Sequence, residues 1–455
     1  MSEINVRSLG AQNHVYFIGI GGISMSALAA ILLHQGCRVS GSDVKPSNIT
    51  KKLEEHGAKI FYGQTADNVP ACDFVVYTGA IKADNPEMIR AKELGIPTYE
   101  RPEFLGAVMK CYPKTVAVSG THGKTTTTSM LTYCLLECNT DPTVTIGGEV
   151  DILGGNLRIG HSEYFLAEAC EYRRSFLSFF PYIAVITNIE EDHLDYYKDI
   201  NDIKDAFRGF ADLVPSDGAI VACWDDFDIK DALKDVSRPI ITYGLNDAEW
   251  TAQDISFQPD GNGVFTVYHN DTLYANISLS VPGKHNILNA LAAIAVCDRL
   301  GLEKNALLRG LQAFHGTKRR FETKGYINDA VIVDDYAHHP TEIKATLTAA
   351  ASTDHNDIWC IFQPHTYTRT KTLFPEFVEA LTGDFHTIIT DIYAAREKDT
   401  GLVSAKELAD AIPGALYMKE FSEIEGFIRQ TVKPGDLVLT MGAGNVVEIG
   451  EHLTE

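Results

Sequence analysis

Val118-Ser119-Gly120-Thr121-His122-Gly123-Lys124-Thr125-Thr126 decides how this chain is read. The stretch ends a short β-branched apolar run, breaks into glycines and reaches Lys-Thr where an apolar helix begins. A strand entering a helix through glycines turns several backbone N–H groups toward one anion, which makes a phosphate cradle. Valine stands at 118 where the common P-loop pattern has glycine, so the loop is a shortened variant of that pattern. Gly120, Thr121, His122, Gly123, Lys124, Thr125 and Thr126 are the candidate nucleotide contacts, with Lys124 against the β- and γ-phosphates and the Thr125 hydroxyl on Mg²⁺. The alternative is an ordinary glycine-rich turn, and the Gly-Lys-Thr ending speaks against it.

Around this loop lie 455 residues, enough for roughly three domains at about 150 residues each. With 45% hydrophobic and 22% charged residues the chain can fold and stay dissolved. Its 39 basic and 61 acidic side chains give a net charge of -22, a field that repels nucleic acid and anionic lipid. A phosphate ligand therefore needs a locally favourable pocket. The nine cysteines are scattered with no Cys-x-x-Cys pair, as expected in a reducing cytoplasm. The first residues are polar without an apolar signal core, and no run of about 18 apolar residues follows, so membrane insertion is not expected.

The pattern divides the chain into residues 1–112, 113–317 and 318–455. In the first part an apolar strand at 14–20 meets a glycine turn and a helix at 23–33, and further strands are expected at 37–42 and 74–78. The second part has strands at 115–119, 164–167 and 183–187, antiparallel strands within 250–279 and a helix at 286–300. The third has strands at 330–336, 358–363, 387–392, 415–418 and 437–441 separated by helical stretches, a doubly wound α/β pattern.

Several strand ends carry chemistry. Gly19, Gly21 and Gly22, with Ser24 in the place of a third glycine and Asp43 after the next strand, suit a nucleotide pyrophosphate and ribose, or a structural turn with no ligand. Glu168 and His193 each follow an apolar strand and could serve a divalent ion near transferring phosphate, or form a capped acidic cluster with a surface histidine. Asn286 and Asn289 share one face of a helix start; capping explains one of them, and paired amides could read a purine edge. Arg319 and Arg320 offer a guanidinium to a phosphoryl group or are surface charges. Asp334-Asp335-Tyr336-Ala337-His338-His339-Pro340-Thr341-Glu342 and Gln363-Pro364-His365-Thr366-Tyr367-Thr368-Arg369 place acids, imidazoles and arginine at a crevice mouth, where a carboxylate could bind.

Together, the two glycine loops, Thr187-Asn188-Ile189 with Asp192-His193-Leu194-Asp195, the His285-Asn286-x-x-Asn289 pair and the Asp335 to Glu342 run resemble the Mur ligase family, in order and spacing along essentially the whole chain. The resemblance implies an α/β fold of three domains: a Rossmann-like N-terminal domain for a UDP-sugar, a central P-loop ATPase, and a Rossmann-like C-terminal domain that closes over ATP. His122, the His-His-Pro-Thr-Glu run and Gln363-Pro364-His365 resemble the branch that joins L-alanine to the carboxylate of UDP-N-acetylmuramate through an acyl phosphate, giving ADP and phosphate in peptidoglycan precursor synthesis.

The roles this implies are Gly19, Gly21, Gly22, Ser24 and Asp43 for the UDP-sugar; Thr125, Glu168 and His193 for metal; and Lys124, Glu168, His193 and Arg320 for catalysis. Asn286 and Asn289 would serve adenine, Asp335 the ribose, and His338, His365 and Arg369 the amino acid. ATP and Mg²⁺ are the expected cofactors, and a monomer or weak homodimer the expected state. Two positions depart from relatives: Cys170-Glu171-Tyr172-Arg173-Arg174 replaces an acidic cluster, and Thr366 stands where some have arginine. Rival readings are a ligase for a recycled tripeptide, a nicotinamide-dependent oxidoreductase and a non-catalytic nucleotide-binding module.

Overall fold

Residues His14–Ile18 bury every side chain and form the middle strand of a five-stranded parallel sheet. The computed structural model describes residues 4–395 and 397–455. The first sheet contains β1 (His14–Ile18), β2 (Arg38–Asp43), β3 (Lys59–Tyr62), β4 (Phe74–Tyr77) and β5 (Thr98–Glu100), in the order β3-β2-β1-β4-β5. The chain winds from β1 to one side and then to the other, so a crevice opens at the carboxyl end of β1, where the helix Ile23–His34 begins. The edge strands β3 and β5 add to the three strands that the sequence pattern predicts. They are only four and three residues long and pack from one side, too short to show a period.

The second sheet has ten strands: β6 (Lys114–Ser119), β7 (Thr143–Val150), β8 (Gly155–Arg158), β9 (Tyr164–Glu168), β10 (Ile183–Ile186), β11 (Ala219–Cys223), β12 (Ile240–Gly244), β13 (Trp250–Phe257), β14 (Asn262–His269) and β15 (Thr272–Pro282). Their order is β15-β14-β13-β12-β11-β10-β6-β9-β7-β8, with β14 antiparallel to both β13 and β15. β6 pairs in parallel with both β9 and β10. Three parallel strands therefore end side by side, bringing the phosphate loop, Glu168 and the Thr187-to-His193 segment to one edge. The apolar helix Lys284–Arg299 is buried along most of its length and packs against the helix Lys124–Glu137 that the loop begins.

The third sheet contains β16 (Glu322–Ile327), β17 (Ala330–Asp335), β18 (Ile358–Phe362), β19 (His386–Ile389), β20 (Leu416–Tyr417) and β21 (Leu437–Met441), in the order β16-β17-β21-β18-β19-β20. β16 is antiparallel to β17, and the rest are parallel. β19 stops at Ile389, three residues short of the apolar run that predicts it.

Packing separates this third unit from the other two. One apolar cluster runs from Val15 and Phe17 through Phe104 and Phe165 to Leu311 and Phe314, so the first two sheets share a core. The third sheet has its own clusters, around Phe362 and Phe377 and around Ile361 and Ile424. Polar pairs cross from it to the second unit, among them Arg369–Asp192 and His122–Glu342. Such a seam can part without exposing a shared core. Among the described residues no helix is long and apolar enough to cross a membrane.

Candidate active site

At Gly120 the backbone takes φ 138°, and a Cβ there would lie 1.9 Å from Thr187 Oγ1. Only glycine lets β6 turn beneath the end of β10. Gly123, at φ 79°, is the N-cap residue of the helix Lys124–Glu137, whose first-turn N–H groups point out of the loop. Lys124 Nζ donates to the carbonyls of Gly120 and Thr121 at 2.6 and 2.9 Å and lies 3.0 Å from Glu171 Oε2. Burial pulls the Lys124 pKa down, but Glu171 overcomes this and the ammonium is held above its usual range.

Thr125 Oγ1 donates to Glu168 Oε2 at 3.0 Å, and the same oxygen accepts the Gly147 N–H at 2.9 Å. A hydroxyl and a carboxylate oxygen in contact form a donor set for a hard cation such as Mg²⁺. His193 does not meet Glu168 directly. Its Nε2 lies 3.7 Å from Glu171 and 3.8 Å from Asp192, and its φ of 55° is rare for a residue other than glycine.

A cavity of about 630 Å³ opens beside the loop, lined by His122, Gly123, Thr125, Thr126 and, across from them, Asn286, Asn289, Arg320 and Asp335. The two asparagines are tied together: Asn289 Nδ2 donates to Asn286 Oδ1 at 3.0 Å, and Asn289 Oδ1 accepts from Thr127 at 3.1 Å. Asn286 Nδ2 donates to the Pro282 carbonyl at 2.7 Å. The amides thus brace one another against the phosphate loop at the wall of the cavity.

The two adjacent arginines part company. Arg319 turns into the third unit, reaching Asp334 at 3.0 Å and the Gly442 carbonyl at 2.7 Å, whereas Arg320 faces the cavity 3.8 Å from Glu342. Asp335 accepts the N–H groups of Phe321 and Ala337 at 2.8 and 2.7 Å, and burial lifts its carboxyl to about 6 despite Arg320 nearby. Glu342 gathers His122 at 3.1 Å and His338 at 3.2 Å. Burial would raise the Glu342 pKa, but His338 and His122 hold it well below the usual carboxylate range.

A second pocket, of about 450 Å³, is lined by Tyr172, Asp192, His193, His365, Thr366 and Arg369. Arg369 donates to Asp192 Oδ1 through Nε and Nη2 at 3.2 and 2.8 Å and lies 3.2 Å from His365 Nδ1. Burial lowers both His338 and His365 to about 4. The His338 and His365 rings are 5.7 Å apart, edge to face, so this group also comes together.

The first glycine loop lies elsewhere, at the carboxyl end of β1. Gly21 N–H donates to Asp43 Oδ2 at 2.8 Å, Gly22 is the N-cap of its helix, and Ser24 Oγ accepts from Arg101 at 3.2 Å. Gly19 has φ 82°, as the tight turn requires.

Three α/β units with a phosphate loop at a polar seam define an ATP-dependent ligase architecture. The chain belongs to the Mur ligase family: the family's catalytic domain matches residues 14–112, the Mur ligase middle domain 118–297, and the glutamate ligase domain 319–444. Two relatives called UDP-N-acetylmuramate--L-alanine ligase stand out. The one from Acetivibrio thermocellus is 54% identical over 99% of this chain and 97% of its own length, and the one from Caldanaerobacter subterraneus subsp. tengcongensis 52% over 97% of each. The solved UDP-N-acetylmuramate-alanine ligase of Thermotoga maritima superposes with a TM-score of 0.81 at 30% identity, covering 97% of this chain and 98% of that one. A murein peptide ligase from Psychrobacter arcticus gives 0.72 at 29%, with the same coverage.

Four acids stand at the centre of the geometry without a role in the sequence reading: Glu171, Glu190, Asp192 and Glu342. Glu171 has 4% of its side chain exposed and neutralises Lys124. A lone glutamate three residues beyond a strand gives no sign of burial. Glu342 could have been found, because it is the third residue of a helix that starts with proline, where a capping glutamate is favoured.

Proposed function

We propose that the chain joins L-alanine to the carboxylate of UDP-N-acetylmuramate at the expense of ATP, releasing ADP and phosphate. Relatives of that activity at 54% and 52% identity along nearly the full length support this reading. The observation that carries it is the placement of two pockets at one seam, the phosphate loop on one side and Arg369 with His365 on the other. Residues 1–112, 113–317 and 318–455 are taken as the UDP-sugar, ATP and amino-acid units, in keeping with the separate core of the third sheet. Nine free cysteines support a reducing, cytoplasmic setting.

The chemistry follows from the poor leaving group of a carboxylate. A carboxylate oxygen of the sugar acid attacks the γ-phosphorus of ATP and ADP leaves. The neutral amine of alanine then attacks the acyl carbon, phosphate departs with the bridging oxygen, and the amine loses a proton. Lys124 and the N–H groups at the start of its helix hold the charge that builds on the transferring phosphoryl group. A preorganised contact of this type contributes about 3 kcal/mol. Lys124 exchanges its bonds to Gly120, Thr121 and Glu171 for phosphate oxygens. Mg²⁺ held by Thr125 and Glu168 would supply further charge neutralisation. Arg320 faces the phosphates, Asp335 the ribose, and Asn286 with Asn289 shape the wall against adenine. Arg369, held by Asp192, fixes the carboxylate of alanine, while His338 and His365 are neutral at pH 7 and add no competing charge.

The test is product analysis with UDP-N-acetylmuramate, ATP, Mg²⁺ and single amino acids. ADP and phosphate that appear with L-alanine, and much less with other amino acids or a tripeptide, support the proposal. Preference for the tripeptide overturns it in favour of a peptide-recycling activity.

A further inference from the structure

His122, Glu190 and His339 bring three ligand atoms within 4.8 Å of one another at the seam between the second and third sheets. His122 follows β6, Glu190 follows β10, and His339 caps the helix Pro340–Ala351 of the third unit. The two rings are 4.7 Å apart. Each imidazole already uses one nitrogen on an acceptor. His122 Nδ1 lies 3.1 Å from Glu342 Oε1, and His339 Nε2 lies 3.2 Å from the Glu191 carbonyl.

A carbonyl only accepts, so His339 Nε2 carries the proton and Nδ1 presents a lone pair. That Nδ1 accepts the Thr341 N–H at 3.4 Å and lies 3.8 Å from Glu190 Oε2. His122 Nε2 is buried and faces the same carboxylate oxygen at 3.5 Å; burial pulls the His122 pKa down, but Glu342 and Glu190 raise it to about 9, so a metal takes this nitrogen by displacing its proton. The Thr341 hydroxyl donates to that oxygen at 2.5 Å and fixes its position.

Two imidazole nitrogens and one carboxylate oxygen converge, and each imidazole is oriented by an acceptor behind it. This is the donor set and the outer support of zinc-type centres. We propose that His122, Glu190 and His339 bind a divalent transition metal of the zinc class. The site is separate from the Thr125–Glu168 pair, whose oxygens suit a hard cation. A nitrogen-rich set discriminates against Mg²⁺, which prefers oxygen and loses water reluctantly. Because two ligands come from the second unit and one from the third, the metal clamps the units together at the rim of the nucleotide cavity.

Cobalt(II) titration of the full chain, in Mg²⁺ buffer without nucleotide, tests this. The expected result is one equivalent of Co²⁺ with visible d–d absorption, free of the near-ultraviolet band that cysteine thiolates give, and displaced by Zn²⁺. His339→Ala and Glu190→Gln should each weaken Co²⁺ by at least about 10-fold. Zn²⁺ should also raise the thermal midpoint of the parent protein more than that of either variant. If His339→Ala fails to fold, Glu190→Gln carries the comparison. Absence of the visible band, thiolate ligation, or unchanged affinity in the folded variants overturns the proposal.

Discussion

Two loops of this chain share one local design and differ in what they can do. Gly19 to Gly22 and Gly120 to Gly123 both follow a strand with parallel neighbours on either side, both use positive-φ glycines and both open a helix. In the first, the exposed N–H of Gly21 is taken by the Asp43 carboxylate at the end of the neighbouring strand. In the second, the helix starts with Lys124 and Thr125, whose side chains are bound by Glu171 and Glu168 at the neighbouring strand end; Asn188 takes the N–H groups of Thr121 and His122, and those of the first helical turn are left without an intrahelical partner beside the cavity. Strand-turn-helix geometry makes a place for an anion, and the residues on the next strand decide whether the protein or a ligand fills it.

The sharpest way to break this contrast is Lys124→Ala. Turnover should fall at least 10²-fold, a loss of about 3 kcal/mol of transition-state stabilisation, measured as ATP-dependent phosphate release. The variant should also melt earlier, because Glu171 is left buried and unpaired, and Glu171→Gln in the same chain should restore part of the melting temperature but not the activity. Near-normal turnover of Lys124→Ala would remove the functional difference between the loops.

The glycines sharpen the comparison next. Gly120→Ala must place a Cβ 1.9 Å from Thr187 Oγ1 at φ 138°, and should cost about 2 to 4 kcal/mol in denaturant unfolding. Gly22→Ala meets nothing closer than 3.5 Å at φ -66° and should stay within about 1 kcal/mol. Equal losses would mean that the two turns are under the same constraint.

The strand-end aspartates come third. Asp335 has its folded pKa lifted from 3.8 to about 6, so the folded state binds more protons than the unfolded one between those values. Its contribution is therefore favourable below about 4 and is lost as pH rises through about 6, the reverse of an ion-paired carboxylate. Asp335→Asn should remove this slope, worth up to about 3 kcal/mol across that window, in unfolding measured from pH 4 to 7. A parallel pH profile in the variant would show that the Asp335 carboxyl is not raised in the folded state.

The smallest effect is expected at Asp43→Asn, which keeps an acceptor for Gly21 but removes the charge. Affinity for the UDP-sugar should change by about fivefold with little change in kcat, in steady-state kinetics.

What the sequence disclosed follows the same line. Continuous apolar runs such as His14–Ile18 and Leu437–Met441 are buried on both faces, so their composition alone marks them as interior strands. Lys59–Tyr62, Thr98–Glu100 and Gly155–Arg158 sit near sheet edges and are half exposed, and short one-sided strands carry too few residues to show a pattern. In the site, Lys124 and Thr125 were legible because the loop motif fixes their chemistry locally. The pairing of Asp192 with Arg369 was not, since the partners are 177 residues apart and only the folded seam joins them. The asparagine pair was legible as a helical spacing, whereas its internal hydrogen bonds depend on Thr127 and Pro282 from other elements.

The most direct measurement follows oxygen. With UDP-N-acetylmuramate carrying ¹⁸O in its carboxylate, ATP and L-alanine, the account predicts one labelled oxygen in the released phosphate, and ADP as the other product. Label found in AMP together with pyrophosphate, or unlabelled phosphate released during amide formation, would contradict transfer of the γ-phosphoryl group to the sugar acid.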